Sequence, residues 1–257
     1  MRALVETIEV DGARLRLRTL APAGRSRDSL EPTLVLLHGL GSSSAAFRRL
    51  QTVLSRGHRT IAVDLPGFGG MPDVGWQLRT PDLAERVVDA LRAVDVVECV
   101  VLGHGWGAQL AVEVARRSSD FVTSVALLAP VVDDRRRGLW RQLGDLGVDL
   151  FHEPVGLGAR VTLGLLRNLV VSLPLVPGAL RYPLFTRVAE LDVPVLVLRG
   201  YQDALSGHDW ARRLAGVAGE AALLEIPGAH HVQDQQAGAV GAIVDEFIRV
   251  QTLGRLR

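Results

Sequence analysis

The chain has 257 residues, of which 48% are hydrophobic and 22% charged, with a formal net charge of +1. That length and mix suit one globular domain, with or without an inserted subdomain, and exclude a disordered chain. The near-zero net charge offers no bulk field for nucleic acid or a membrane surface, and a single cysteine excludes a disulfide framework.

Residues 3–10 and 14–19 alternate apolar and polar groups around Asp11-Gly12, which predicts a β-hairpin with a tight turn. Residues 33–37 form an unbroken apolar run, the pattern of a strand buried on both faces. A short strand follows at 60–63. Thr80 is placed to cap a helix with Pro81 at its first position and Asp82 in its first turn. Leu83, Val87, Leu91 and Val94 then share one helical face. A strand at 98–102, opened by Cys99 as an inert core thiol, runs into a small-residue helix at 107–117. Another strand spans 123–129.

From 131 to 187 strand-like runs stop and Gly, Pro and Leu dominate, with short helical stretches. A strand returns at 194–199, then a helix at 207–217, a strand at 221–226 and a helix at 238–251. Alternating apolar strands and helices predict an α/β fold, a mostly parallel eight-stranded sheet covered on both faces. The expected division is a core of 1–130 and 188–257 with a helical cap at 131–187 over the carboxyl edge of the sheet. The many apolar groups of the insert, Trp140 among them, predict a pocket for an apolar small molecule. The Arg135-Arg136-Arg137 run reads as a solvated face. The first nine residues carry acidic groups where a signal peptide needs an apolar core. The longest apolar stretch, 169–180, is short and interrupted by Pro174 and Pro177. No integral membrane segment and a cytoplasmic location are therefore expected. No Cys/His cluster has metal-ligand spacing, and no cofactor is implied.

Four motifs stand in order at strand ends: His38-Gly39-Leu40-Gly41, Asp64-Leu65-Pro66-Gly67-Phe68-Gly69, Gly103-His104-Gly105-Trp106-Gly107, and Asp203 with Pro227-Gly228-Ala229-His230-His231. With this strand context the chain resembles the α/β-hydrolase superfamily over essentially its whole length. The resemblance implies an oxyanion hole from the backbone N–H groups of Leu40 and Trp106. It implies Asp203 as the acid that orients a histidine base, with His231 expected as that base and Asp133 or Asp134 as alternative acids. His38, Gly39, His104 and Trp140 are expected around the substrate. Asp64 to Gly69 reads as a structural loop, and Ser42 to Ser44 as turn or capping residues.

Residues 103–107 occupy the strand-turn-helix setting of a nucleophile elbow, yet the central position is Gly105, which has no attacking atom. Glycine accepts positive φ without cost. The neighbouring Trp106 resembles the Gly-His-Asp-Trp-Gly elbow of epoxide hydrolases and haloalkane dehalogenases. However, Tyr182 is the only tyrosine of the insert, where ring opening is expected to use two, and Leu40 stands where dehalogenases usually place a polar halide contact. Neither activity carries over. The sequence expectation is an enzyme without a covalent intermediate, in which a histidine base activates water or removes a substrate proton. The substrate class would be a small apolar ester or carbonyl compound. A nucleophile-less binding protein and an engineered form of a Ser or Asp hydrolase fit the same residues.

Overall fold

In the computed structural model, residues 3–22, 31–73 and 79–255 are described. Strands β1 (Leu4–Val10) and β2 (Ala13–Leu20) pair antiparallel. Between them Asp11 and Gly12 both take positive φ, 47° and 73°, as a two-residue hairpin turn demands. The remaining strands are β3 (Thr33–Leu37), β4 (Thr60–Asp64), β5 (Cys99–His104), β6 (Val122–Leu128), β7 (Val195–Gly200) and β8 (Ala221–Ile226). They form one eight-stranded sheet in the order β1-β2-β4-β3-β5-β6-β7-β8. The β2–β4 pair is antiparallel, and every pair from β4 to β8 is parallel.

The helices are α1 (Arg48–Leu54), α2 (Thr80–Arg92), α3 (Gly107–Arg117), α4 (Leu139–His152), α5 (Val155–Arg167), α6 (Leu169–Arg181), α7 (Leu184–Ala189), α8 (His208–Val217), α9 (Val232–Gln235) and α10 (Ala237–Arg255). Successive side chains of a strand point to opposite faces, and both faces here are dry. Val35 and Leu37 pack with α2, α3 and α8 on one side, while Leu34 and Leu36 pack with α1 and α10 on the other. Cys99 is fully buried and burial pushes its thiol pKa up, so it stays an unreactive core group.

Two sequence expectations shift. Thr80 is the first helical residue and not the cap; Arg79 caps α2, and its backbone N–H donates to the Asp82 carboxylate at 2.9 Å. The apolar insert is three helices, α4 to α6, longer than its glycines and prolines suggested. Pro174 and Pro177 lie inside α6 at exposed positions. Position 187 falls within α7, whose Leu184 and Val188 are buried in the core.

The insert lies across the loops after β3 and β4. A Cβ on Gly41 would stand 2.4 Å from Leu165 Cδ2 of α5, and one on Gly67 would stand 2.6 Å from Val171 Cγ1 of α6. Asn168, between these helices, donates its side-chain N–H to the Gly41 carbonyl at 3.1 Å. Arg160 of α5 donates to Asp234 of α9 at 2.7 Å.

Candidate active site

The turn between β5 and α3 is built on three glycines with different reasons to be glycine. A Cβ on Gly103 would meet the Gly107 carbonyl oxygen at 2.1 Å, and one on Gly107 would meet the Leu37 carbonyl oxygen at 2.2 Å. No side chain fits at either place. Gly105 differs. Its φ is +59°, and its N–H donates to the Leu128 carbonyl at 3.0 Å. A Cβ there would first meet His230 Nε2, at 3.2 Å, and then Gly39 Cα, at 4.0 Å. The backbone at 105 thus favours glycine by its dihedral, at a cost of ~1–3 kcal/mol for any other residue, while the packing admits a small side chain only if the His230 ring gives way slightly.

The histidine that faces this point is His230. Its Nδ1 donates to Asp203 Oδ2 at 3.0 Å. A carboxylate only accepts, so Nδ1 carries a proton, and in the neutral ring Nε2 keeps its lone pair toward Gly105. Asp203 is itself fixed. Its Oδ1 accepts from the backbone N–H of Leu205 at 2.9 Å and of Ser206 at 2.8 Å. Arg199, buried behind it, donates to the Asp203 carbonyl at 3.0 Å and also binds the Ser206 carbonyl and Glu225. Burial by itself lowers the pKa of His230, but the charge and hydrogen bond of Asp203, joined by the charges of Asp149 and Glu153, outweigh it and the net shift is upward. Burial likewise pushes Asp203 up, and the His230 charge and hydrogen bonds overcome it to hold the carboxyl below its usual range.

This corrects the expected pairing of Asp203 with His231. Consecutive side chains diverge here: His230 turns to the elbow and His231, which opens α9, turns to the insert. His231 donates from both its backbone N–H and Nδ1 to Glu153 Oε1, each at 3.0 Å. Asp149 Oδ1 accepts the backbone N–H of His230 at 3.0 Å. Two carboxylates four residues apart at the end of α4 therefore grip the two histidines in succession. Burial raises Asp149 to about 6 despite the nearby His230, with Asp203 and Glu153 adding to the rise. Burial also lowers His231, offset in part by its bond to Glu153. Sequence reasoning missed Asp149 and Glu153; their i, i+4 spacing near the end of the first insert helix was the available signal. With His231 they form the one group of potential metal ligands among the described residues, all ligand atoms within 4.8 Å. Glu153 Oε2 accepts from Gln235 at 2.5 Å, so both its oxygens and His231 Nδ1 are already engaged within the protein.

The other expected residues divide. Gly39 lies against Gly105, and a Cβ on it would stand 3.8 Å from the Trp106 backbone nitrogen. Among the described residues neither the Leu40 nor the Trp106 backbone N–H has a hydrogen-bond partner, and Trp106 N–H belongs to the first turn of α3, where the helix dipole favours negative charge. His38 is not a pocket residue. It is fully buried, its Nδ1 bonds the Gly39 carbonyl at 2.9 Å, and its Nε2 accepts the Leu65 N–H at 3.3 Å, so it braces two loops. His104 is buried beneath both histidines and bonds the His230 carbonyl at 3.1 Å; burial and then the neighbouring His230 and His231 depress its pKa well below normal, which keeps it neutral. Trp140 is 84% exposed and does not line the cleft beside the site. Asp133 and Asp134 both bind Arg213 at 2.5 Å, so neither replaces Asp203. Tyr182 donates to Glu113 at 2.8 Å and is buried in the core, away from any ring-opening role. Asp64 accepts the Ser44 N–H at 2.7 Å, the structural duty expected of its loop. A cleft of about 410 Å³ opens beside the site, lined by Leu40, Ser42, Arg48, Leu157, Val161 and His231 among others.

The sheet order, the elbow and the Asp-His pair define the class. The alpha/beta hydrolase fold family matches over residues 32–160, and the chain belongs to that family. Several of its relatives are named as hydrolases. It is 25% identical over 228 residues to a 2-(acetamidomethylene)succinate hydrolase of Mesorhizobium japonicum, covering 78% of this chain and 81% of that one. It is 34% identical over 105 residues to epoxide hydrolase 3 of Xenopus tropicalis, a match covering 40% of this chain and only 29% of that protein. The enol-lactonase of Burkholderia xenovorans LB400 superposes with a TM-score of 0.73 at 18% identity, over 95% of this chain and all of that one (100%), which shows the shared fold.

Proposed function

We propose that this protein is a hydrolase-fold enzyme that works without a covalent intermediate, with His230 as general base and Asp203 as its orienting acid. The carrying observation is that His230 Nε2, the lone-pair nitrogen of the neutral ring because Nδ1 serves Asp203, stands 3.2 Å from where a side chain at 105 would begin. A water or a substrate C–H placed there meets a base and no tethered nucleophile. The N–H groups of Leu40 and Trp106 serve as the oxyanion hole, each worth ~3 kcal/mol to a developing negative charge. Residues up to 130 and from 188 supply this machinery as the core, and α4 to α6 act as a cap over it. The substrate class is a small apolar ester or carbonyl compound. A relative named as a 2-(acetamidomethylene)succinate hydrolase supports carbonyl chemistry.

The test is turnover of an ester and lactone panel by the wild type, His230→Ala and His231→Ala. Loss of roughly 10²–10⁴-fold in the first, with the second largely active, supports the assignment. Full turnover in His230→Ala sinks it. A ligand that co-purifies, binds tightly and is never converted would make the protein a binder.

A further inference from the structure

We propose that the outer face of α5 and α6 docks onto a lipid bilayer bearing anionic headgroups. This surface lies outside the chemistry at Gly105 and stands or falls without it. Val155 is 90% exposed, Leu166 65% and Val170 81%, and Leu163 and Leu173 continue the same outward faces. The helices are apolar inward as well, where Leu157 and Val161 meet the cleft. Helix α5 buries no residue fully and α6 only Ser172 and Ala179, so these are not core helices that happen to be greasy. A helix apolar on all sides and yet exposed has an unmet partner.

Charge selects the partner. Residues 155–181 contain Arg160, Arg167 and Arg181 and no Asp or Glu. The nearby acidic groups turn inward: Asp145 pairs with Arg136, while Asp149 and Glu153 are buried against the histidines. Arg160 is neutralised by Asp234, but Arg141, Arg167 and Arg181 face solvent. The net charge of +1 hides this local excess. A greasy, cationic, acid-free surface fits an anionic leaflet better than another protein with a charged rim. Geometry sets the depth. Helices α5 and α6 together have membrane-like length and composition but bend by 88° at Asn168, and among the described residues no single helix is long and apolar enough to cross. The pair can lie in the interface and not span it. Trp140, exposed on α4, is the residue type that settles at headgroup level.

The test is flotation of the full chain with phosphatidylcholine vesicles, with and without phosphatidylglycerol. Binding roughly tenfold or more tighter to the anionic vesicles, weakened by salt, is expected. Leu166→Glu with Val170→Glu should abolish it at unchanged melting temperature. Since Cys99 is buried, Leu166→Cys gives a single reactive thiol, and an acrylodan label there should shift blue on anionic vesicles. No flotation and no shift in the wild-type background overturns the proposal. So does a dimer in sedimentation velocity that Leu166→Glu disperses while vesicles stay unbound, which would give the face to a second copy of the chain.

Discussion

His230 Nε2 and Gly105 face one another so closely that a Cβ on the glycine would lie 3.2 Å from the ring nitrogen. Gly105→Ser therefore places a hydroxyl within reach of a base that already has its acid. The ring must yield a few tenths of an ångström, and φ of +59° adds strain of ~1–3 kcal/mol, so the melting temperature should drop by a few degrees. Covalent labelling of Gly105→Ser by a fluorophosphonate probe is expected, and adding His230→Ala should abolish it. A folded Gly105→Ser protein that never labels would mean the oxyanion donors are misplaced.

A base must be neutral to act. Because Asp203 outweighs burial and raises the His230 pKa above its ordinary 6.5, activity should climb with pH through a midpoint above 6.5 and then level off. Asp203→Asn removes the raising charge and leaves burial, which lowers the pKa. Its rising limb should move to lower pH, and its plateau should fall roughly 10²–10⁴-fold as the ring loses its tautomer and orientation. Identical midpoints in both pH–rate profiles would count against the dyad.

Asp149 shifts in the opposite direction from its neighbours Asp203 and Glu153, whose histidine partners hold them low. Its native pKa of about 6 exceeds the ordinary 3.8, so between those values the folded state holds the proton that the unfolded state has lost. Its contribution to stability is fully present below pH 3.8 and falls as pH rises toward 6. Asp149→Asn keeps an oxygen for the His230 N–H and cannot ionise. Relative to the wild type it should gain up to about 3 kcal/mol between pH 4 and 6 and stay constant above pH 7. Urea unfolding of both proteins across that range measures the difference. A flat difference would show that Asp149 titrates normally.

The sheet was legible because each strand announces itself. Residues 33–37 could only be a strand dry on both faces, and Asp11-Gly12 could only be a hairpin turn. The elbow was legible from three glycines, although sequence could not reveal that Gly103 and Gly107 are sterically forced and Gly105 is not. The choice between His230 and His231 was hidden. Both follow Pro227-Gly228, and which ring turns to Gly105 is settled by the tertiary contacts of Asp203 and Glu153, which lie far away in sequence. Asp149 and Glu153 were hidden for a different reason: their partners lie about 80 residues away, and local spacing shows a shared helix face but not what that face meets.

The seat of the cap on the core is testable at Gly41. Its φ of +72° and the 2.4 Å approach of a Cβ to Leu165 Cδ2 impose two separate penalties on Gly41→Ala. The side-chain clash can be relieved by Leu165→Ala. The backbone strain, and the 3.2 Å approach to Leu165 Cα, cannot. Gly41→Ala alone should lower the melting temperature and expose α5 to limited proteolysis as the helix retreats from the loop. In the double variant the proteolytic sensitivity should return part of the way to that of Leu165→Ala alone, while the melting temperature stays depressed by the residual strain of ~1–3 kcal/mol. Such non-additivity is the signature of residues in direct contact. Strictly additive effects would place Leu165 away from Gly41 in solution, with the cap resting open over the site.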